Sequence, residues 1–409
     1  MKDIIKVLRD ISPVKLAILI GLFVWLVYYQ SNNKPIYEFN YFVYLADSFL
    51  HGHADVPNLP PNYFDFVLFD GKKYLPFPFM PAVSIMPLVA IFGTGVREIV
   101  LSQIIGAIDV SLLFLLLVRM KVSKPTALFI TAFYGFGTVQ WYISAIGWSW
   151  FFAHVLAQFF LLLCLLEVFG KGRLFIVGFL AALAGLSREP LLLAAPFIFI
   201  LTIVYQKNIK FSVSILKFLP AFIIGFSPFF VLLIYNYARF GSIFEQGYQF
   251  LYKTYISSNI TYSFYRNIIA PGSPHFGYFD LRNIPLGLYT IFFFPPEIMA
   301  KFPFFKPSPY GLSIFITSPL FIFILKSKIN SFYKNIFWLM IFPVALVSLL
   351  HYAQGWVQFG YRFLLDYIIF LLILLAFSFK TAIPKLALVL LIISIIINFW
   401  GINWAMGKF

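Results

Sequence analysis

Apolar runs of membrane-spanning length alternate along this chain with short polar segments that hold most of its charge. The runs fall near residues 15–30, 99–118, 126–145, 149–168, 174–187, 190–206, 216–236, 308–325, 335–351, 362–379 and 386–404. Most approach the roughly 17–25 residues that an α-helix needs to cross a hydrocarbon core. They predict an all-α polytopic membrane protein with about eleven transmembrane helices in one domain, residues 1–409. A further apolar run, FMPAVSIMPLVAIF at 79–92, contains Pro81 and Pro87 and is short for a span. It reads as an interfacial or re-entrant segment.

Two long stretches break the alternation, a first outer loop at 31–98 and a second at 237–307. In the first, Asn40, Tyr44, Asp47 and His51 recur at i, i+4, i+7 and i+11, one stripe of a helix that Gly52 ends. The helix is expected in the interface, its polar stripe either solvated or lining a cavity. Further on, Asp70-Gly71 is a turn signal between two aromatic-rich, strand-like runs. Lys72 and Lys73 follow it, and basic groups beside an interface suit a phosphate head group. The second loop mixes aromatic, amide and basic side chains, including Asn236, Arg239 and Tyr248. That mixture suits sugar stacking and equally suits an aromatic belt. Asn259-Ile260-Thr261 matches a short glycosylation sequon.

Composition supports the membrane reading. Residues are 61% hydrophobic and 11% charged, against about 25% charged in soluble domains. The net charge of +15 sits at the ends of apolar runs rather than on one soluble face, so nucleic acid is not an expected partner. Lys2, Lys6, Arg9 and Lys15 precede the first span. With them on the inside, Arg119/Lys121/Lys124, Lys171/Arg173, Lys207/Lys210/Lys217, Lys326/Lys328/Lys334 and Lys380/Lys385 share that side. The positive-inside rule makes it cytoplasmic. Ten of the fifteen carboxylates, Glu38, Asp47, Asp55, Asp65, Asp70, Glu98, Glu189, Glu245, Asp280 and Glu297, then face the other compartment, so chemistry is expected there. The first apolar run lacks a small-residue cleavage site and reads as a span. Cys164 is the only cysteine, which excludes an internal disulfide. No P-loop, GxGxxG, HExxH or GxSxG motif occurs.

Three arginines stand at span edges, where an unpaired guanidinium is costly: Arg97, Arg188 in the turn GLSREP, and Arg362. Arg362 belongs to a cluster with His351, Trp356, Gln358, Tyr361 and Asp366. Either Arg362 pairs with Asp366 at i,i+4 or the three arginines converge on an anionic lipid phosphate. His154 and His351 read as hydrogen-bonded structural residues.

The order of these features resembles the GT-C superfamily of polyprenyl-phosphate-dependent glycosyltransferases. A basic N-terminus and one span lead to YEFNYFVYLADSFLHG, DGKKYLPFP, an apolar stretch ending in Phe92-Gly93, and Arg97 at the head of the next span. The pattern is most similar to protein O-mannosyltransferases and to the aminoarabinose transferases that modify lipid A. GLSREP, YNYARFGSIFEQGY and WVQFGYRFLLD resemble further family segments. The chain departs from the family at Tyr37-Glu38, where members have Asp-Glu. It departs again near Phe77, where members carry a lysine, and at 138–150, which holds no carboxylate. The resemblance implies sugar transfer, with inversion, from a polyprenyl-phosphate donor to a lipid, glycan or protein acceptor on the outer face. Glu38 or Asp47 would be the base. Lys72, Lys73, Arg97, Arg188 and Arg362 would hold the donor phosphate. His51, Asn236, Arg239, Tyr248, Trp356, Gln358 and Tyr361 would line the substrate side. No cofactor or metal ligand set is required, and a divalent cation is compatible. A lipid or sugar transporter or flippase, and a surface-polysaccharide polymerase or ligase, are the alternatives.

Overall fold

The computed structural model describes residues 11–35, 38–207, 213–258, 276–301, 304–353, 355, 357–379 and 382–407. Helices account for nearly all regular structure, and two small two-stranded hairpins are the only sheets among the described residues. Six helical segments are long and apolar enough to cross a membrane: Pro13–Ser31, Glu98–Arg119, Ser149–Val168, Glu189–Lys207, Ser331–Leu350 and Lys385–Ala405. A seventh crossing is available if the pair Ile215–Gly225 and Pro228–Phe240, bent by 52°, counts as one span. The bend falls at Pro228, whose ring cannot continue the preceding turn.

The other four expected spans are shorter or broken helices. The run 126–145 divides into Lys124–Phe136 and Gln140–Ile146. Leu174–Ser187 is a 14-residue helix that stops short of Pro190. The run 308–325 holds the four-residue helix Ile314–Thr317 and a 3-10 turn, Pro319–Lys326. The run 362–379 begins as the 3-10 turn Arg362–Asp366 before the helix Ile368–Ala376. The apolar run at 79–92 is a helix, Met80–Phe92, with Pro87 inside it.

Glu98–Arg119 is the central strut. It packs on Pro13–Ser31, Lys124–Phe136, Gln140–Ile146 and Ser149–Val168. Polar side chains bind the backbones together where the helices meet: Ser111 Oγ donates to Ala17 O at 2.9 Å, and Tyr28 OH donates to Gly135 O at 2.9 Å. Such interhelical hydrogen bonds are a common glue where helix surfaces are otherwise uniformly apolar.

The first long loop is folded onto one end of this bundle. Its helix Tyr41–Leu50 buries Tyr41, Phe42, Val43, Leu45, Ala46 and Ser48. Ser149, at the start of the helix Ser149–Val168, receives the Tyr41 backbone N–H at 2.8 Å and donates its hydroxyl to Phe39 O at 2.7 Å. The expected hairpin forms, with Val67–Phe69 antiparallel to Lys72–Tyr74. Its turn places Asp70 at φ 48° and Gly71 at φ 75°, the pair of left-handed residues that an Asp-Gly hairpin turn calls for.

Candidate functional site

Where the loop meets the bundle, a cavity of about 800 Å³ opens. Its wall is largely aromatic, and it also holds Asp65, Arg188, Glu189, Arg362 and Asp366. The chain brings these groups together from far apart. Arg188 follows the helix Leu174–Ser187, where Pro190 forces the backbone out of the helix. Arg362 and Asp366 come from the 3-10 turn at the head of Ile368–Ala376, and Asp65 comes from the first loop.

Asp366 is buried beneath the cavity and holds two partners. Arg188 grips it in a fork, Nε to Oδ1 at 3.0 Å and Nη2 to Oδ2 at 2.9 Å. His154 Nδ1 lies 2.8 Å from Oδ1. Of the two alternatives for Arg362, the i,i+4 pair with Asp366 does not form, because the intervening residues are a 3-10 turn. With about three residues per turn, positions i and i+4 point in different directions. Arg362 is left with ring contacts, its guanidinium 5.2 Å from the Phe363 centroid and 5.8 Å from that of Phe151. Among the described residues no carboxylate comes within ion-pair distance of Arg362, and its Nε has no hydrogen-bond partner. Arg188 also lies over Phe363, at 5.6 Å, so one ring serves both arginines.

Asp65 is fixed within an aromatic frame. Trp150 Nε1 donates to its Oδ2 at 2.8 Å, and the Tyr41 hydroxyl accepts its backbone N–H at 3.1 Å. Phe39, Tyr41 and Trp150 pack with centroids 5.1–6.2 Å apart. Burial, and next the Asp65 charge, hold the Tyr41 phenol well above its usual range, and burial pushes Tyr63 up to about 12. Both phenols therefore stay protonated and act only as neutral hydrogen-bonding groups. The charges of Asp65 and Arg362 act on one another across the cavity without touching. In the sequence Asp65 is only one of ten outer carboxylates, with no role marked for it. Its aromatic surroundings in NYFDF were the one local hint.

Tyr248 lines the cavity, its phenol held up by burial and by Glu189. Glu38 forms an ion pair with Arg97, whose Nε donates to both carboxylate oxygens at 3.0 and 3.1 Å, and neither residue lines the cavity. That contact holds the Arg97 guanidinium above its ordinary value. Asp47 and His51 sit on the outward side of Tyr41–Leu50, with His51 Nδ1 2.8 Å from Asp47 O. The polar stripe thus does not line the cavity, and Phe39 and Phe42 do. Lys72 is exposed at the hairpin, and Lys73 lies 5.3 Å from the Phe66 ring centroid. Asn236 accepts from Arg239 at 2.8 Å, while Arg239 donates to Leu75 O at 2.7 Å, which ties the second loop to the end of the hairpin. Gln358 is buried and donates to Tyr310 O at 3.0 Å, and Tyr361 donates to Ser348 Oγ at 2.9 Å. Trp356, Tyr37 and the sequon at 259–261 lie outside the described residues. Among the described residues no group of three or more His, Cys, Asp or Glu is arranged to hold a metal ion.

No protein family, no curated protein and no solved structure matches this chain.

Proposed function

We propose that the chain is a membrane glycosyltransferase that moves a sugar from a polyprenyl-phosphate donor to an acceptor hydroxyl inside the aromatic cavity. One observation carries the reading: Arg362, a guanidinium with no carboxylate in ion-pair distance among the described residues, shares a cavity wall with the anchored carboxylate Asp65. A phosphate leaving group needs a cation, and an acceptor hydroxyl needs a base. In this reading Arg362 holds the donor phosphate. Arg188, steadied by Asp366, adds a second guanidinium whose Nη1 is not used in the fork. Asp65 takes the proton as the acceptor oxygen attacks the anomeric carbon. The carbon–oxygen bond to phosphate breaks with its electron pair going to the phosphate. A single displacement of this kind inverts the anomeric centre. Asp65, rather than Glu38 or Asp47, is the base in this reading, since Glu38 is paired with Arg97 and neither Glu38 nor Asp47 lines the cavity. The proposal keeps eleven crossings, a cytoplasmic N-terminus and an extracytoplasmic cavity, on the charge distribution of the loops.

The test is sugar transfer from radiolabelled polyprenyl-phosphate sugars in membranes. Asp65→Asn and Arg362→Ala should each abolish transfer, with Asp47→Asn retaining it. Full transfer by Asp65→Asn sinks the assignment.

A lipid or sugar transporter is the second reading, favoured by the bent pair Ile215–Gly225 and Pro228–Phe240, since transporters build sites on broken helices. Reconstituted vesicles separate the two: a transporter moves a labelled lipid across the bilayer without forming a new glycosidic bond.

A further inference from the structure

Asp109 stands midway along Glu98–Arg119, a helix long and apolar enough to cross a membrane, and takes no part in the cavity. It is fully buried, and among the described residues neither carboxylate oxygen has a hydrogen-bond partner. Nor do the described residues of the neighbouring elements offer it a cation. Pro13–Ser31 presents Tyr28, and Lys124–Phe136 presents Tyr134, both near enough to feel the Asp109 charge. On Gln140–Ile146 the titratable side chain is Tyr142, packed among the rings of Phe151, Phe359 and Trp404, and Gln140 Nε2 donates to Ser144 Oγ at 3.1 Å; Ile368–Ala376 has no titratable side chain. On Ser149–Val168, His154 is turned to Asp366, Glu167 is held by Arg173, and Cys164 Sγ contacts Val177 O. Arg119 and Lys124 donate to backbone carbonyls of Leu166 and Ile11 at the helix ends, and Lys15 sits in the first turn of its helix. Gly106, one turn before Asp109, admits the neighbours closely: a Cβ there would stand 2.7 Å from Ser144 Cβ and 3.4 Å from Tyr28 Cε2.

An ionised carboxylate buried without cation or donor carries a large desolvation cost even after relaxation. An uncharged acid in the same place avoids that cost, and an ionisable group at this depth in a spanning helix is a functional candidate in its own right. We propose that Asp109 is a proton-binding site in the middle of the helical bundle, holding its carboxyl as the uncharged acid at neutral pH. Loss of that proton puts a negative charge beside Tyr28 and Tyr134. Alkaline conditions should therefore loosen the contacts of Glu98–Arg119 with Pro13–Ser31. This inference stands apart from the transferase reading, and either can fail alone.

The test uses the full chain in lipid nanodiscs, treated with dicyclohexylcarbodiimide, which adds to uncharged carboxyl groups in apolar surroundings. Peptide mass spectrometry across a pH series should find the adduct on Asp109 at neutral pH, falling away in alkali. Asp109→Asn should lose the adduct and flatten the alkaline decline in melting temperature. Absence of the adduct at neutral pH in folded protein overturns the proposal. So does an equal alkaline decline in Asp109→Asn. Protection of Asp109 by sodium ions at constant pH overturns it too, in favour of a bound metal cation. If the variant does not fold, the pH series on the unaltered chain decides alone.

Discussion

Asn40 and Glu98 each cap the helix that the other residue introduces. The Asn40 Oδ1 accepts the Glu98 backbone N–H at 3.1 Å, and the Glu98 Oε1 accepts the backbone N–H groups of Phe42 and Val43 at 2.8 and 3.1 Å. Both helix starts thereby satisfy amide groups that no carbonyl of their own helix can reach. The reciprocal bond fixes the first loop to the central strut, and so sets the height of Asp65 above the bundle.

Asn40→Ala should destabilise the protein by about 1 kcal/mol, the usual worth of a helix cap. Glu98→Ala should cost more, about 2–3 kcal/mol, because two buried N–H groups lose their acceptor together. Glu98→Gln keeps an acceptor oxygen and should fall between the unaltered chain and Glu98→Ala. Melting curves in detergent rank the three. An Asn40→Ala cost equal to that of Glu98→Ala contradicts the account.

Removing one member of the buried Arg188–Asp366 pair should be far worse than removing both. Asp366→Leu leaves the Arg188 charge without its partner and should cost about 3–5 kcal/mol, whereas Arg188→Met with Asp366→Leu should recover most of that loss. A double variant as unstable as Asp366→Leu alone argues against a charge-balancing role. If the transferase proposal holds, sugar transfer should not recover in the double variant, since the guanidinium is gone.

By contrast the Glu38–Arg97 pair should matter little to stability. Arg97 is 44% exposed, and exposed ion pairs are worth about 0–1 kcal/mol. Arg97→Ala should shift the melting temperature only slightly, and that shift should shrink further in high salt. A large salt-insensitive loss contradicts this.

Gly147 should tolerate no side chain. It ends the helix Gln140–Ile146 at φ 59°, and a Cβ there would lie 2.6 Å from Ile99 Cα and 2.9 Å from Ser102 Cβ. The left-handed backbone alone penalises alanine by about 1 kcal/mol. The backbone collision forces Glu98–Arg119 outward as well. Gly147→Ala should therefore lower both melting temperature and folded yield.

Much of this arrangement can be read from the sequence, and the unread part has a common cause. Apolar length found the six long helices, and Asp70-Gly71 found the hairpin, because each is encoded within a few neighbouring residues. Length did not foresee the division after Phe136 or the 3-10 turn at Arg362–Asp366, where side-chain packing and local turn type override hydropathy. Helical spacing therefore offers Arg362, as one of two alternatives, the partner that Arg188 takes from 178 residues away. Asp65 was passed over for the same reason, since its partner Trp150 lies 85 residues further on. Arg188, Arg362 and Tyr248 were singled out from sequence and do meet in the cavity.

The long reach of the Arg188–Asp366 pair also imposes an order on biosynthesis. Arg188 leaves the ribosome 178 residues before the carboxylate that neutralises it. At roughly 5–20 residues per second, that is a wait on the order of ten to forty seconds. During that interval the half-made bundle holds an uncompensated cation, so the insertion machinery or the lipid head groups must solvate it until Asp366 arrives.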